Sequence, residues 1–193
     1  MPTPSSRPDW HSRGYLPHLD RPGLVQAVTF RLGDALPRAL VDRWSGEPIE
    51  RHWQRERTLD AGHGACWLRD PRIAELVEDA LLCFDGARYR LLAWVVMPNH
   101  VHVICQAEAG HRLGAIVGGW KSYTAKAANA LLKRHGEFWY ADYHDRFVRD
   151  AEHLRRAVDY VHWNPVRAGL ALRPRLWPYG SARRTPPLAG ARA

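Results

Sequence analysis

The spacing of hydrophobic and polar positions predicts three strands in the first 105 residues. Residues 24–32, LVQAVTFRL, carry β-branched and aromatic residues between a Pro-Gly and a Gly-Asp pair, which predicts a strand. Residues 89–96, YRLLAWVV, are nearly all apolar, as expected for a strand covered on both faces. The next segment, MPNHVHVIC at 97–105, predicts a turn and then an antiparallel neighbour of that strand.

Helical spacing accounts for the segments between these strands. Residues 37–59 are charged and amphipathic, which predicts helix with a break near residues 46–48. Another helix begins at Pro71, directly after Asp70, because proline suits the first helical position and aspartate the position before it. Its apolar stripe consists of Ile73, Leu76, Val77 and Ala80.

The second half of the chain completes the order of elements. A longer helix lies within residues 112–134, and the aromatic segment 138–148, FWYADYHDRFV, can pair as a strand. Asp150 begins a last helix, AEHLRRAVDYVHW, which we expect Pro165 to end. This order predicts an α+β fold, a ferredoxin-like antiparallel sheet with helices packed on one face.

Chain length sets the domain organisation. With 193 residues the chain can bury one substantial core, so we expect a single domain. Residues 1–22 are expected to form an N-terminal arm, residues 23–165 the domain and residues 166–193 a basic C-terminal tail.

The charge and the cysteine content of the chain limit its possible binding partners and its cellular compartment. The 28 lysines and arginines exceed the 20 acidic residues, which with nine tryptophans favours a polyanion partner, nucleic acid first. A basic but otherwise ordinary cytosolic protein is the alternative. Three widely spaced cysteines indicate reduced thiols, and neither a signal peptide nor an apolar run of about 20 residues occurs. We therefore expect a cytoplasmic protein that does not contact the membrane.

Two histidines in the segment after residue 97 are candidates for metal ligands. Strand side chains alternate, so His100 and His102 project together while Val101 and Val103 point into the core. Neutral imidazole is the commonest metal ligand in proteins, and two on one strand face predict half of a metal site. Two histidines without a functional role are the alternative.

The last predicted helix supplies candidates for a third ligand and a nucleophile. Tyr160 and Asn164 are four residues apart, so they share one helical face. Asn164 can offer a carbonyl oxygen to a metal and Tyr160 a phenolic oxygen to a phosphate, although each alone can also be a packing or helix-ending residue. Tyr123, within GGWKSYTAKAAN, is a competing nucleophile.

Several basic side chains are candidates for contacts with DNA phosphates. They are Lys121, Lys126, Arg146, Arg149, Arg167, Arg183 and Arg184. The two lysines can instead form a solvated helix face, and Arg146 and Arg149 can pair with neighbouring aspartates. Three further histidines have no spacing typical of ligands and are expected at the surface, namely His144, His153 and His162.

Two separated motifs resemble one known family. PNHVHVI at residues 98–104, with DYHDRFVRDAEHLRRAVDYVHWNPVRAGL at residues 142–170, is similar to the single-tyrosine HUH transposases, specifically the REP-associated tyrosine transposases of bacteria. The resemblance covers roughly residues 14–181. It implies that His100 and His102 hold a divalent metal, with Asn164 as an extra ligand.

The same resemblance implies a reaction. Tyr160 would cut single-stranded DNA next to a hairpin, remain joined to it as a 5′-phosphotyrosine, and later rejoin strands. Two imidazoles and an amide oxygen suit Mg²⁺ or Mn²⁺ without excluding zinc. A nuclease that activates water and a non-catalytic nucleic-acid-binding module stay as alternatives. The protein is expected to act as a monomer or a homodimer.

The end of the chain generates a first testable prediction. After Pro165 there are six arginines and no acidic residue, with Trp177 and Tyr179 interleaved, which favours neutralisation of phosphates and base stacking. Deleting residues 182–193 should lower the affinity for hairpin DNA and flatten its salt dependence, as measured by titration at several salt concentrations. An unchanged affinity and an unchanged salt slope would remove this segment from the DNA site.

Overall fold

Four strands form one antiparallel sheet at the centre of the protein. The structure, a computed structural model, describes residues 10–12, 17–19, 21 and 23–184, so most of the predicted arm and the last nine residues lie outside it. The strands are β1 Trp10–Ser12, β2 Pro17–Leu19, β3 Val25–Arg31, β4 Tyr89–Val96, β5 His100–Ala107 and β6 His144–Phe147. The central sheet has the order β4-β5-β3-β6, and β1 pairs with β2 separately.

Five α-helices connect and cover these strands within the described chain. They are α1 Arg38–Val41, α2 Pro48–Asp60, α3 Pro71–Leu82, α4 Leu113–Leu131 and α5 Ala151–Arg167. The sequence from β3 to β6, with α3 and α4 as its main crossovers, has the ferredoxin-like arrangement, and α5 follows it. The predicted α+β fold class is therefore confirmed. None of the helices among the described residues has the length and apolar character of a membrane span.

The helices lie on both faces of the sheet. On one face α3 and α4 pack as predicted, and Phe30, Val101 and Val103 of the sheet are buried there. On the other face α5 packs against β4 and β5, where Val95 and Ile104 contact Val161. Since β5 alternates, its histidines share this second face.

A β-bulge in β4 allows residues on both sides of the bulge to direct apolar side chains into the same core. Leu91 pairs with Cys105 and Ala93 with Ile104, so one extra residue lies between them. A bulge of this kind reverses the alternation of side chains beyond it. Leu91 and Trp94 consequently face the same core despite their odd spacing.

The last helix does not end where the proline predicts. Helix α5 continues through Pro165, so the prediction that this residue terminates it is wrong. Proline removes one helical donor, but the amide of Ala168 bonds to the carbonyl of Asn164 at 3.0 Å, which restores the pattern beyond it. Pro165 is buried, and this packing offsets the lost hydrogen bond. Asn164 therefore lies inside the helix rather than past its end.

The segment after α5 attaches to the outer edge of β4. The amide of Val96 donates to the carbonyl of Tyr179 at 2.8 Å, and the indole of Trp177 donates back to the Val96 carbonyl at 3.0 Å. Ser181 Oγ accepts from the Trp94 amide at 3.0 Å and contacts His162 Nε2 of α5 at 2.9 Å. This C-terminal segment thus links the sheet edge to α5.

The hydroxyl of Ser181 generates a prediction about stability. Replacing Ser181 with alanine leaves a buried backbone amide and an imidazole without their partner, which should lower the free energy of unfolding by about 1–2 kcal/mol. Ser122 is exposed on α4, so Ser122→Ala should change stability by less than about 0.5 kcal/mol. Urea unfolding of both variants measures the difference, and equal midpoints would show that the link contributes nothing.

Candidate metal and nucleophile site

His100 and His102 project from the start of β5 towards α2 and α5. Their Nε2 atoms lie only 3.0 Å apart. The two side chains are 0% and 4% exposed, so their ring nitrogens find partners inside the protein rather than in water. The predicted pairing of the imidazoles on one strand face is present in the structure.

Neighbouring groups fix how each ring is oriented. Asn99 Nδ2 donates to the carbonyl of His63 at 2.9 Å, so Asn99 Oδ1 must accept from His100 Nδ1 at 2.7 Å. The proton on Nδ1 leaves a lone pair on Nε2 of the neutral ring. His102 Nδ1 bonds to Thr29 Oγ1 at 2.8 Å. Both rings therefore point their second nitrogen at the same space, as metal-ligating histidines do.

Burial keeps both imidazoles neutral. Loss of solvation, with the nearby charge of Arg55, lowers the pKa of His102 and holds the pKa of His100 well below its ordinary value. The neutral form is the one that binds a cation. The electrostatics therefore match the geometry of a ligand pair.

Asp60, at the end of α2, completes a cluster that the sequence did not predict. Its Oδ1 is buried, lies 3.7 Å from His100 Nε2 and has no hydrogen-bond partner among the described residues. One ligand atom from each of Asp60, His100 and His102 lies within 4.8 Å of the others. Two imidazoles and one carboxylate that converge in this way fit a divalent cation, which would satisfy both lone pairs and the orphan oxygen.

The predicted ligand Asn164 lies against this cluster. It is completely buried, and it adjoins Asp60, whose pKa it helps to hold down. Neither amide atom makes a hydrogen bond of good geometry within the described part of the chain. A buried amide in this condition is available to a cation, and Asn164 remains a proposed ligand.

Helix α5 brings Tyr160 to the same place. Its hydroxyl donates to Glu56 Oε2 at 2.9 Å, and its ring centre lies 5.6 Å from that of His102. Burial raises the pKa of Tyr160, and the charges of Glu56 and Asp60 raise it further. Tyr160 is therefore a neutral phenol whose proton already points at a carboxylate.

Glu56 is the second functional candidate that the sequence did not predict. It is 3% exposed, and its Oε2 lies 3.6 Å from His102 Nε2. Burial alone would raise its pKa, but its interactions with His102, the guanidinium of Arg55 and the Tyr160 hydroxyl prevail and lower it. The signal that could have revealed both acids is their spacing, since Glu56 and Asp60 lie one helical turn apart on the same side of α2 as buried Leu59.

A cavity of about 490 Å³ reaches the edge of this cluster at His102. Glu56, His102 and Tyr160 line it. Its arginines are Arg146, Arg156 and Arg167, and His52, His144 and His153 also line it. The guanidinium of Arg167 lies 5.0 Å from the ring centre of Tyr160. Two of the predicted DNA contacts, Arg146 and Arg167, thus line the same cavity as Tyr160.

The other predicted DNA contacts lie elsewhere. The ammonium of Lys121 donates to the carbonyls of Tyr140 and Ala141, both at 2.7 Å, and so anchors a loop on α4. Lys126 and Arg149 are exposed, away from the cavity. Across the sheet, Arg183 and Arg184 approach buried Glu78 at 2.8 and 3.5 Å.

The competing nucleophile is separated from the histidines by the sheet. Tyr123 is 60% exposed on α4, which covers the opposite face. His144, by contrast, lies on the histidine face, because Thr29 pairs with both His102 and His144. Burial lowers the pKa of His144 to about 2, so it is not the surface residue that the sequence predicted.

Comparison with known proteins relates part of this chain to one class of transposases. Residues 71–164 match the model of the IS200-like transposase family. Within that class, the chain is similar to the REP-associated tyrosine transposases, which confirms the resemblance noted in the sequence. The Escherichia coli K12 protein of that name is 25% identical over 96 residues, which are 50% of this chain and 56% of the relative.

Two further comparisons agree. A Haemophilus influenzae relative is 23% identical over 106 residues, which are 50% of this chain and 60% of the relative. The matches therefore span little more than half the length of these curated relatives. A solved structure of a REP-associated tyrosine transposase bound to a REP hairpin superimposes with a TM-score of 0.59 at 18% identity, covering 86% of this chain and 81% of that one. It has the same fold.

The perturbed carboxyl of Asp60 generates a prediction about pH. Burial and the charge of Glu56 raise its folded-state pKa from 3.8 to about 7. Protonated Asp60 thus contributes stability that is fully present near pH 4 and is lost as the pH rises through 7. Without metal, Asp60→Asn should be more stable than wild type by about 2 kcal/mol at pH 8, roughly half of the full pKa shift because the group is partly solvated.

Thermal unfolding across this pH range, in EDTA and then in Mn²⁺, checks both parts of this expectation. The advantage of Asp60→Asn should vanish near pH 4, and Mn²⁺ should raise the melting temperature of wild type more than that of the variant. A variant that melts like wild type at every pH, with and without Mn²⁺, would contradict the assignment.

Proposed function

We propose that this protein is a metal-dependent, single-tyrosine DNA transposase of the REP-associated type. It would cut single-stranded DNA beside a hairpin and rejoin it through a covalent tyrosine intermediate. The observation that carries the proposal is the position of the Tyr160 hydroxyl, 2.9 Å from Glu56 and beside the His102 ring. The proposed nucleophile, its proton acceptor and one ligand of the proposed cation site, His102, then line one cavity.

The cation is proposed to be Mg²⁺ or Mn²⁺, held by Asp60, His100 and His102, with Asn164 beside them. When bound, it would polarise the scissile phosphate and stabilise charge on the leaving oxygen. Asn99 and Thr29 keep both imidazoles in the orientation that this role requires.

Tyr160 is proposed to attack the phosphorus while its proton passes to Glu56. The new bond joins the phenolic oxygen to phosphorus, the bond between phosphorus and the 3′-oxygen breaks, and the leaving oxygen takes a proton from solvent to become a 3′-hydroxyl. The DNA stays attached as a 5′-phosphotyrosine, and a second strand's 3′-hydroxyl can reverse the step. The carboxylate form of Glu56, supported by its lowered pKa, is the one that can accept this proton.

The substrate is proposed from the charge around the cavity. Arg146, Arg156 and Arg167 surround Tyr160 and suit a negatively charged strand. A hairpin partner is proposed by similarity to the relative that was solved with one. Lys126 and Arg149 are further proposed contacts, and the bacterial cytoplasm is the proposed location.

A nuclease that activates water is the second candidate, since the same cation site can serve it. The two candidates differ in whether DNA ever becomes bonded to the protein. Wild type incubated with a hairpin-bearing single strand and Mn²⁺ should give an adduct that survives boiling in detergent. Peptide mapping should place the DNA on residues 157–167.

Tyr160→Phe removes only the hydroxyl and is therefore the decisive variant. It should bind the hairpin strand with nearly normal affinity, yet form no adduct and release no cut strand, because no other oxygen occupies its place. Tyr123→Phe, on the opposite face, is the matched control and should retain both products. His100→Ala, His102→Ala or excess EDTA should abolish cutting. Cleavage by Tyr160→Phe with no covalent species at any time would mean that water is the nucleophile.

A further inference from the structure

A second cavity opens on the histidine face of the sheet, beside the one that contains Tyr160. Its volume is about 430 Å³. Thr29 and His144 line both cavities, so the two cavities adjoin. The side chains that give the second cavity its chemical character are Arg31, Trp44, Arg55, Tyr140 and Asp142.

One wall of this cavity is a flat, fixed platform. The guanidinium of Arg31 lies 3.7 Å from the ring centre of Tyr140. The same guanidinium donates to the carbonyls of Leu32 and Gly33 at 3.1 and 3.3 Å, so its plane is held by the backbone. Trp44 adds a half-buried indole. Aromatic rings and arginine planes of this kind are the surfaces on which unstacked nucleobases bind.

Asp142 brings an unsatisfied acceptor to the cavity. It is 4% exposed, and its Oδ1 accepts from His18 Nε2 and from the amide of Tyr143, both at 2.9 Å. Its Oδ2 is buried without a donor among the described residues. A buried carboxylate oxygen in this state is stabilised by a donor that a ligand brings.

The amino groups of cytosine, adenine and guanine are such donors, and aspartate typically accepts from the amino group of cytosine. Thymine has a carbonyl oxygen in place of that amino group, which the carboxylate would repel. The cavity therefore favours a base that carries an amino group.

Arg55 lies between the two cavities. It lines the second cavity, while its guanidinium reaches Glu56 of the first, with Nη2 at 3.2 Å from Oε1. A phosphate that links a base in the second cavity to the phosphate at Tyr160 would pass this fixed cation.

We propose that the second cavity is a base cavity, which holds one unstacked, amino-bearing nucleobase next to the phosphate that Tyr160 attacks. This inference rests on the proposed function, since it assumes that single-stranded DNA crosses the histidine face. It adds a base-specific contact made by the protein itself at the cutting site.

The test compares cytosine and thymine decamers, which differ in the amino group. In the Tyr160→Phe background, which cannot cut, (dC)10 should bind about five- to tenfold more tightly than (dT)10 in fluorescence anisotropy. Trp44→Ala should weaken (dC)10 binding about tenfold and remove the preference. Trp163→Ala, an exposed tryptophan that lines neither cavity, is the matched control and should change neither value.

Asp142→Asn provides a second variant, because it keeps the shape of the side chain and replaces the acceptor charge. It should reduce the preference for (dC)10 while binding of (dT)10 persists. Equal affinities in Tyr160→Phe, or a preference that survives both Trp44→Ala and Asp142→Asn, would overturn the base cavity. If wild type still forms its covalent adduct in that case, the proposed function stands and only the base cavity fails.

Discussion

Burial of two carboxylates against two imidazoles is the constraint on which the rest of this structure depends. Glu56 and Asp60, one helical turn apart on α2, face His100 and His102, whose Nε2 atoms lie 3.0 Å apart. Lone pairs and like charges do not tolerate this proximity without a cation or a proton between them. The protein keeps the arrangement because β5 is buried on both faces and α2 contributes buried Leu59 to the core. Burial and the nearby charge of Glu56 accordingly raise the pKa of Asp60.

Helix α5 is held from two directions, and this determines where Tyr160 points. On the inside, Val161 and Pro165 of α5 are buried against the sheet. On the outside, Ser181 connects His162 of the same helix to the backbone at the edge of β4. The C-terminal segment therefore stabilises α5 through the contact between Ser181 and His162.

The local spacing of apolar and polar residues was sufficient to predict the parts of the site that lie on a single strand or helix. The apolar run of β4, the alternation of β5 and the i, i+4 spacing on α5 predicted the strand face and the helix face correctly. Asp60 lies some forty residues before His100, and its i, i+4 spacing with Glu56 marks one face of α2 without showing that this face packs against the histidines. The end of α5 was predicted wrongly because burial of Pro165 outweighs its helix-breaking tendency.

The most direct test of the account is to locate the cation in a crystal of the Tyr160→Phe protein soaked with Mn²⁺, by anomalous diffraction. The account predicts one strong peak within bonding distance of His100 Nε2, His102 Nε2 and the carboxylate of Asp60, on the side that faces residue 160. A peak elsewhere, or rings that remain in mutual contact with no peak in saturating Mn²⁺, would contradict it.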